Sequence, residues 1–77
     1  MSPNYSAAYF NRGLSFRRKS DFEHAIADYD QAIRLDPKNA SALNNRGIVW
    51  FEKGDLDRAI ADYNLALRVD PNFAPAY

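Results

Sequence analysis

No cysteine occurs among the 77 residues. Disulfide cross-links and thiolate metal sites are therefore excluded, and the redox compartment is left open. Histidine is nearly missing too, with His24 alone. Net charge is also absent, since ten basic residues balance ten acidic ones. A neutral chain has no broad field for nucleic acid or anionic membrane, and it has little protection against self-association. No apolar run approaches the roughly 20 residues that span a bilayer. The start, Met1-Ser2-Pro3-Asn4-Tyr5, lacks the basic and apolar regions of a signal peptide. The default expectation is a cytoplasmic location, with no membrane partner and an improbable nucleic-acid one.

What is present is a repetition. Asn11-Arg12-Gly13 returns 34 residues later as Asn45-Arg46-Gly47, and Ala25-Ile26-Ala27-Asp28-Tyr29 as Ala59-Ile60-Ala61-Asp62-Tyr63. Between residues 6–39 and 40–73, 15 of 34 positions are identical. A fixed period of this size marks stacked units, each packed on its neighbours. The 77 residues are expected to form one small domain with repeat one at 6–39, repeat two at 40–73, and residues 74–77 opening a third unit. A chain this short hides only about 60% of its unfolded surface, so its stability margin is thin.

Each unit reads as two helices. Tyr9, Gly13 and Phe16 follow i, i+4, i+7 spacing, and Phe22, Ala25, Ile26, Tyr29, Ala32 and Ile33 make a wider stripe of the same period. Asp21 and Asp55 precede the second helices, and Asn39 the third, where their side chains can cap free N–H groups. Gly54 suits a left-handed position at a helix end, and Ser20 occupies the same place in repeat one. Asp36-Pro37 and Asp70-Pro71 close the second helices. Turns of about two residues force antiparallel hairpins. Gly13 and Gly47 sit inside helices at a cost of about 1 kcal/mol each, which implies close approach of a partner helix bearing Ala25 and Ala32.

These residues resemble the tetratricopeptide repeat. That family places a large residue, a glycine, an aromatic, alanine, an aromatic, alanine and proline at fixed offsets. Repeat one supplies Tyr9, Gly13, Phe16, Ala25, Tyr29, Ala32 and Pro37, and repeat two supplies Leu43, Gly47, Trp50, Ala59, Tyr63, Ala66 and Pro71. The pentatricopeptide repeat, an RNA reader, fits less well in period and charge. The resemblance implies an all-α fold, tandem antiparallel helix hairpins in a short right-handed α-solenoid. It also implies a non-catalytic protein-interaction module whose first helices line a concave peptide groove. Carried over by position, that groove holds Phe10, Asn11, Leu14, Arg17 and Arg18, then Asn44, Asn45, Ile48, Phe51 and Glu52. Asn11 and Asn45 stand where the family often grips a ligand backbone, and an amide both donates and accepts. They could equally bond neighbouring helices. The lysine–asparagine set that grips a terminal carboxylate is not expected, because Phe10 and Leu14 occupy two of its places.

One departure is Arg12 and Arg46, where the family usually has leucine. An arginine near a packed seam needs an acceptor or a route to water. Asp28 and Asp62 recur with the same period, so pairing within or across repeats is one reading and a snorkelling side chain the other.

No catalytic set is legible. His24 reads as a surface residue, and Ser15 and Ser20 lie in no nucleophile context. Asp28 and Asp30 point about 200° apart on a helix and cannot share an ion. Neither metal nor cofactor is expected. The alternative to an adaptor is a structural role. Helix 56–69 has an apolar edge at Ile60, Tyr63 and Leu67, and a second copy could cover it, giving a homodimer or higher oligomer.

Overall fold

The computed structural model describes residues 3–72. It holds four helices in chain order: α1 (Pro3–Arg18), α2 (Phe22–Leu35), α3 (Ala40–Lys53) and α4 (Leu56–Val69). They form the two expected antiparallel hairpins, α1 with α2 and α3 with α4, and α3 packs on the first hairpin. The first helix begins at Pro3, a turn earlier than the repeat boundary suggested. Proline suits that first turn, because its missing N–H has no partner there anyway. The reading of 74–77 as a third unit lies outside the described residues.

Local chemistry sets the boundaries. The carboxylates of Asp21 and Asp55 accept from the backbone N–H of His24 and Arg58, and the Asn39 amide oxygen accepts from Ala42. Gly54 takes a left-handed φ of 93°, and Ser20 takes φ 60° at the matching place. Both ends close alike. Ser20 N–H donates to the Arg17 carbonyl and Asp21 N–H to that of Phe16, while Gly54 and Asp55 donate to Phe51 and Trp50. The serine pays the Cβ strain that glycine avoids.

The core runs across the repeat boundary. Ala25, Ile26 and Tyr29 of α2 cluster with Val49 of α3, flanked by Phe10, Phe16, Phe22 and Trp50. Tyr29 and Val49 are the largest fully buried side chains, each contributing about 1.5–3 kcal/mol. A smaller cluster joins Ala40 and Leu43 of α3 to Ala66 of α4 and Ile33 of α2.

The helical glycines admit the close approach expected of the partner helix, and the nearest group on it is a tyrosine ring. A Cβ on Gly13 would stand 2.8 Å from Cε1 of Tyr29, and one on Gly47 2.8 Å from Cε1 of Tyr63. A tyrosine ring on the approaching helix, the one that also bears the small alanines, fills the space each glycine leaves. In repeat two the Ala59 carbonyl also lies 3.2 Å from that position.

The recurring arginines are paired. Arg12 donates through Nε and Nη2 to both oxygens of Asp28, at 2.7 and 2.8 Å. Arg46 grips Asp62 in the same fork and donates its Nη1 across the repeat boundary to Asp30 at 2.7 Å. Asp28 and Asp62 are both buried. These planar two-bond pairs need arginine, because lysine is a point charge.

Candidate functional site: the inner face of α1 and α3

Successive turns of α1 and α3 set the groove residues side by side. Phe10 leans on Tyr29 with ring centroids 5.9 Å apart, and Leu14 and Ile48 are half-buried. Asn11 is exposed, and its side-chain amide makes no hydrogen bond with the described residues. Asn45 is half-buried and its Nδ2 donates to the Ser41 carbonyl at 2.8 Å, one turn back on its own helix. One donor of Asn45 is thus engaged locally, while its oxygen remains an acceptor. Neither asparagine bonds a neighbouring helix.

Asn44 departs from the expectation of an open groove residue. It is buried, and its Oδ1 has no hydrogen-bond partner. It stands where repeat one has Phe10, so a polar amide fills a packing position. The groove surface at this point is made by its neighbours.

The charged end of the groove is bridged. Arg17 of α1 donates through Nε and Nη2 to the two carboxylate oxygens of Glu52 on α3, both at 3.3 Å. Arg18 and Phe51 are exposed nearby in sequence. The charges acting on the Tyr29 hydroxyl are those of Arg17, Glu52 and Arg18. That hydroxyl is buried without a hydrogen-bond partner, and burial pushes its pKa up to about 12. Tyr29 was read from sequence as a packing residue. Its aromatic position was visible there, but the stranded hydroxyl was not.

The apolar edge opens as a cleft of about 490 Å³ lined by Ile48, Phe51, Glu52, Leu56, Ala59, Ile60 and Tyr63. Ile48 and Phe51, expected in the groove, line this cleft. Leu67 is half-buried and does not line it. Leu56 joins the set unforeseen, although its 34-residue counterpart Phe22 packs on the core.

Elsewhere the surface has structural explanations. His24 is exposed, its ring stacks on Phe16 at 5.0 Å, and its Nδ1 lies 2.8 Å from Asp21. The hydrogen bond with His24 holds the Asp21 carboxyl below its usual range. In repeat two the same slot holds Trp50 under the Arg58 guanidinium at 4.9 Å. Asp62, then Asp30, hold the Arg46 guanidinium above its ordinary range against the opposing effect of burial. Among the described residues no three carboxylate or histidine side chains converge on a common point. No helix there is long and apolar enough to cross a membrane. The face offers amides, apolar side chains and one bridged charge pair.

A family model for the tetratricopeptide repeat matches residues 3–74. No match to a curated protein accompanies it.

Proposed function

Because the chain belongs to the tetratricopeptide repeat family, whose members generally mediate protein–protein interaction, we propose that it is an adaptor segment that binds a peptide along α1 and α3. The observation that supports this reading is that the exposed Asn11 amide has no partner and that the Asn45 oxygen is spare, at equivalent positions of the two repeats. Together they can accept from and donate to an extended backbone. Phe10, Leu14, Ile48 and Phe51 supply apolar contact, and the polar ends orient the ligand. The module performs no chemistry of its own, as is typical of the family. The test is binding of selected peptides to the chain carrying Asn11→Ala with Asn45→Ala. Affinity should be lost while helicity is kept, and binding that survives both changes discards the asparagine clamp.

A second reading is self-association, supported by the α3–α4 cleft. Ile26 is 9% exposed beneath α3, whereas its counterpart Ile60 is 56% exposed. Exposed apolar surface of this kind marks interaction sites. A second copy could bury it, and light scattering over a concentration series tests this. A strict monomer at millimolar concentration removes the reading.

A further inference from the structure

The bridge between Arg17 and Glu52 differs from the other inter-helix arginine pairs. Its two N···O distances are 3.3 Å, against 2.7–2.8 Å for Arg12 with Asp28 and for Arg46 with Asp62 and Asp30. Well-made charge-assisted bonds lie near 2.7–2.9 Å. Both side chains are about one-third exposed, so water reaches the pair. Such a pair is held weakly.

Next to this loose bridge is a donor with nothing to receive it. The Tyr29 ring rests on Gly13, one turn before Arg17, and the ring is 0% exposed. Its hydroxyl has no partner, and the charges acting on it belong to the two bridging residues and Arg18. A buried hydroxyl without an acceptor is an unmet demand that a ligand oxygen can meet. The three groups able to donate, Arg17, Arg18 and Tyr29, ask for an oxygen acceptor of negative charge. Glu52 is the acceptor already present, and it reaches only Arg17.

We propose that the α1–α3 seam receives an acidic side chain of the bound peptide, and that Glu52 is an internal stand-in which the incoming carboxylate displaces from Arg17. The inference rests on the groove reading above. Displaced, Glu52 swings to solvent, since it is already partly exposed. The ligand carboxylate then accepts from the Arg17 fork, lies within the field of Arg18, and offers its second oxygen to Tyr29. Phe51, one residue from Glu52 and 57% exposed, gives the ligand an apolar neighbour. Glu52 therefore sets a threshold, because a neutral ligand gains nothing by opening the bridge.

The test uses the full chain and two short fluorescein-labelled peptides, one alternating glutamate with leucine and one alternating glutamine with leucine. Fluorescence anisotropy at low ionic strength should show binding of the first and several-fold weaker binding of the second. Glu52→Gln should tighten the glutamate peptide about three- to tenfold, by removing an exposed competitor and a like charge together. The same change should alter the affinity for the glutamine peptide by less than it alters that for the glutamate peptide. Tyr29→Phe should weaken the glutamate peptide threefold or more without lowering the thermal midpoint, since the hydroxyl has no bond to lose in the free protein. A purely structural tyrosine would move the midpoint and spare the affinity, which overturns the proposal. Equal affinities for the two peptides, no binding of either, or no gain from Glu52→Gln also overturn it. Equal affinities that vanish with Asn11→Ala and Asn45→Ala remove this inference and keep the groove. A Glu52→Gln gain that persists in the double-asparagine variant removes the clamp and keeps the inference.

Discussion

Arg46→Leu places the residue the family usually carries into this chain, and it should nonetheless be harmful. Arg46 makes three bonds of 2.7–2.8 Å, two to Asp62 and one to Asp30. The Asp62 side chain is only 5% exposed, so removing its partner strands a buried carboxylate. Breaking a buried pair on one side costs about 3–5 kcal/mol. Two effects reduce that here. Asp30 is half exposed and returns to water at little cost. The new leucine buries apolar surface for roughly 1–2 kcal/mol. The net loss is about 2–3 kcal/mol, a large part of the roughly 4–12 kcal/mol a chain of this length holds. At about 4–8 °C per kcal/mol for this size, the thermal midpoint falls by about 10–20 °C. Helical ellipticity on heating reads this directly. Adding Asp62→Leu should restore most of the loss, because the stranded buried carboxylate is then gone. A single variant that melts within about 2 °C of the parent refutes the reasoning, since the arginine would then have been a solvated side chain with an incidental partner.

Three further outcomes follow from the same geometry. Ser20→Gly relieves a left-handed residue at φ 60° and should raise stability by about 0.5–1 kcal/mol, measured by urea titration, whereas Gly54→Ser at φ 93° should lower it by a similar amount. Gly13→Ala gains about 1 kcal/mol of helix propensity but drives a methyl group to 2.8 Å from the buried Tyr29 ring, so a net destabilisation of about 1–2 kcal/mol is expected in the same assay. Tyr29 binds its proton more tightly when folded, with a pKa of about 12 against an ordinary value near 10. Its contribution is therefore complete below about pH 10 and is lost as pH rises towards 12, and Tyr29→Phe should remove that alkaline loss from a stability-versus-pH series.

Most of the fold was legible because its determinants are local and repeated. The 34-residue period, the capping Asp21, Asn39 and Asp55, and the left-handed Ser20 and Gly54 all act within a few residues of themselves. Arg12 with Asp28, and Arg46 with Asp62, were legible as well, since a partner 16 residues away recurs in both units. The link from Arg46 to Asp30 crosses the junction and was not legible, because Asp30 does not recur: repeat two has Asn64 in its place. The glycines were traced to the close approach of the right helix, but the side chain that meets them, a tyrosine ring, was not foreseen. Ring placement depends on the rotamer of Tyr29 and on the crossing of α1 with α2, and neither is written in spacing. Asn44 was placed on the groove by position alone. Its burial follows from how α3 seats on the first hairpin, a property of packing between units. The Tyr29 hydroxyl was hidden for the same reason: an aromatic at a packing position says nothing of where its polar end stops.

The central claim is that a peptide binds across the inner face of α1 and α3. Backbone amide chemical-shift mapping of the chain, titrated with the tightest peptide recovered from a random display library, tests it most directly. Shifts should concentrate on residues 10–18 and 44–52, with the outer faces of α2 and α4 unmoved. Shifts confined to α2 or to the Leu56–Ile60 edge would contradict it.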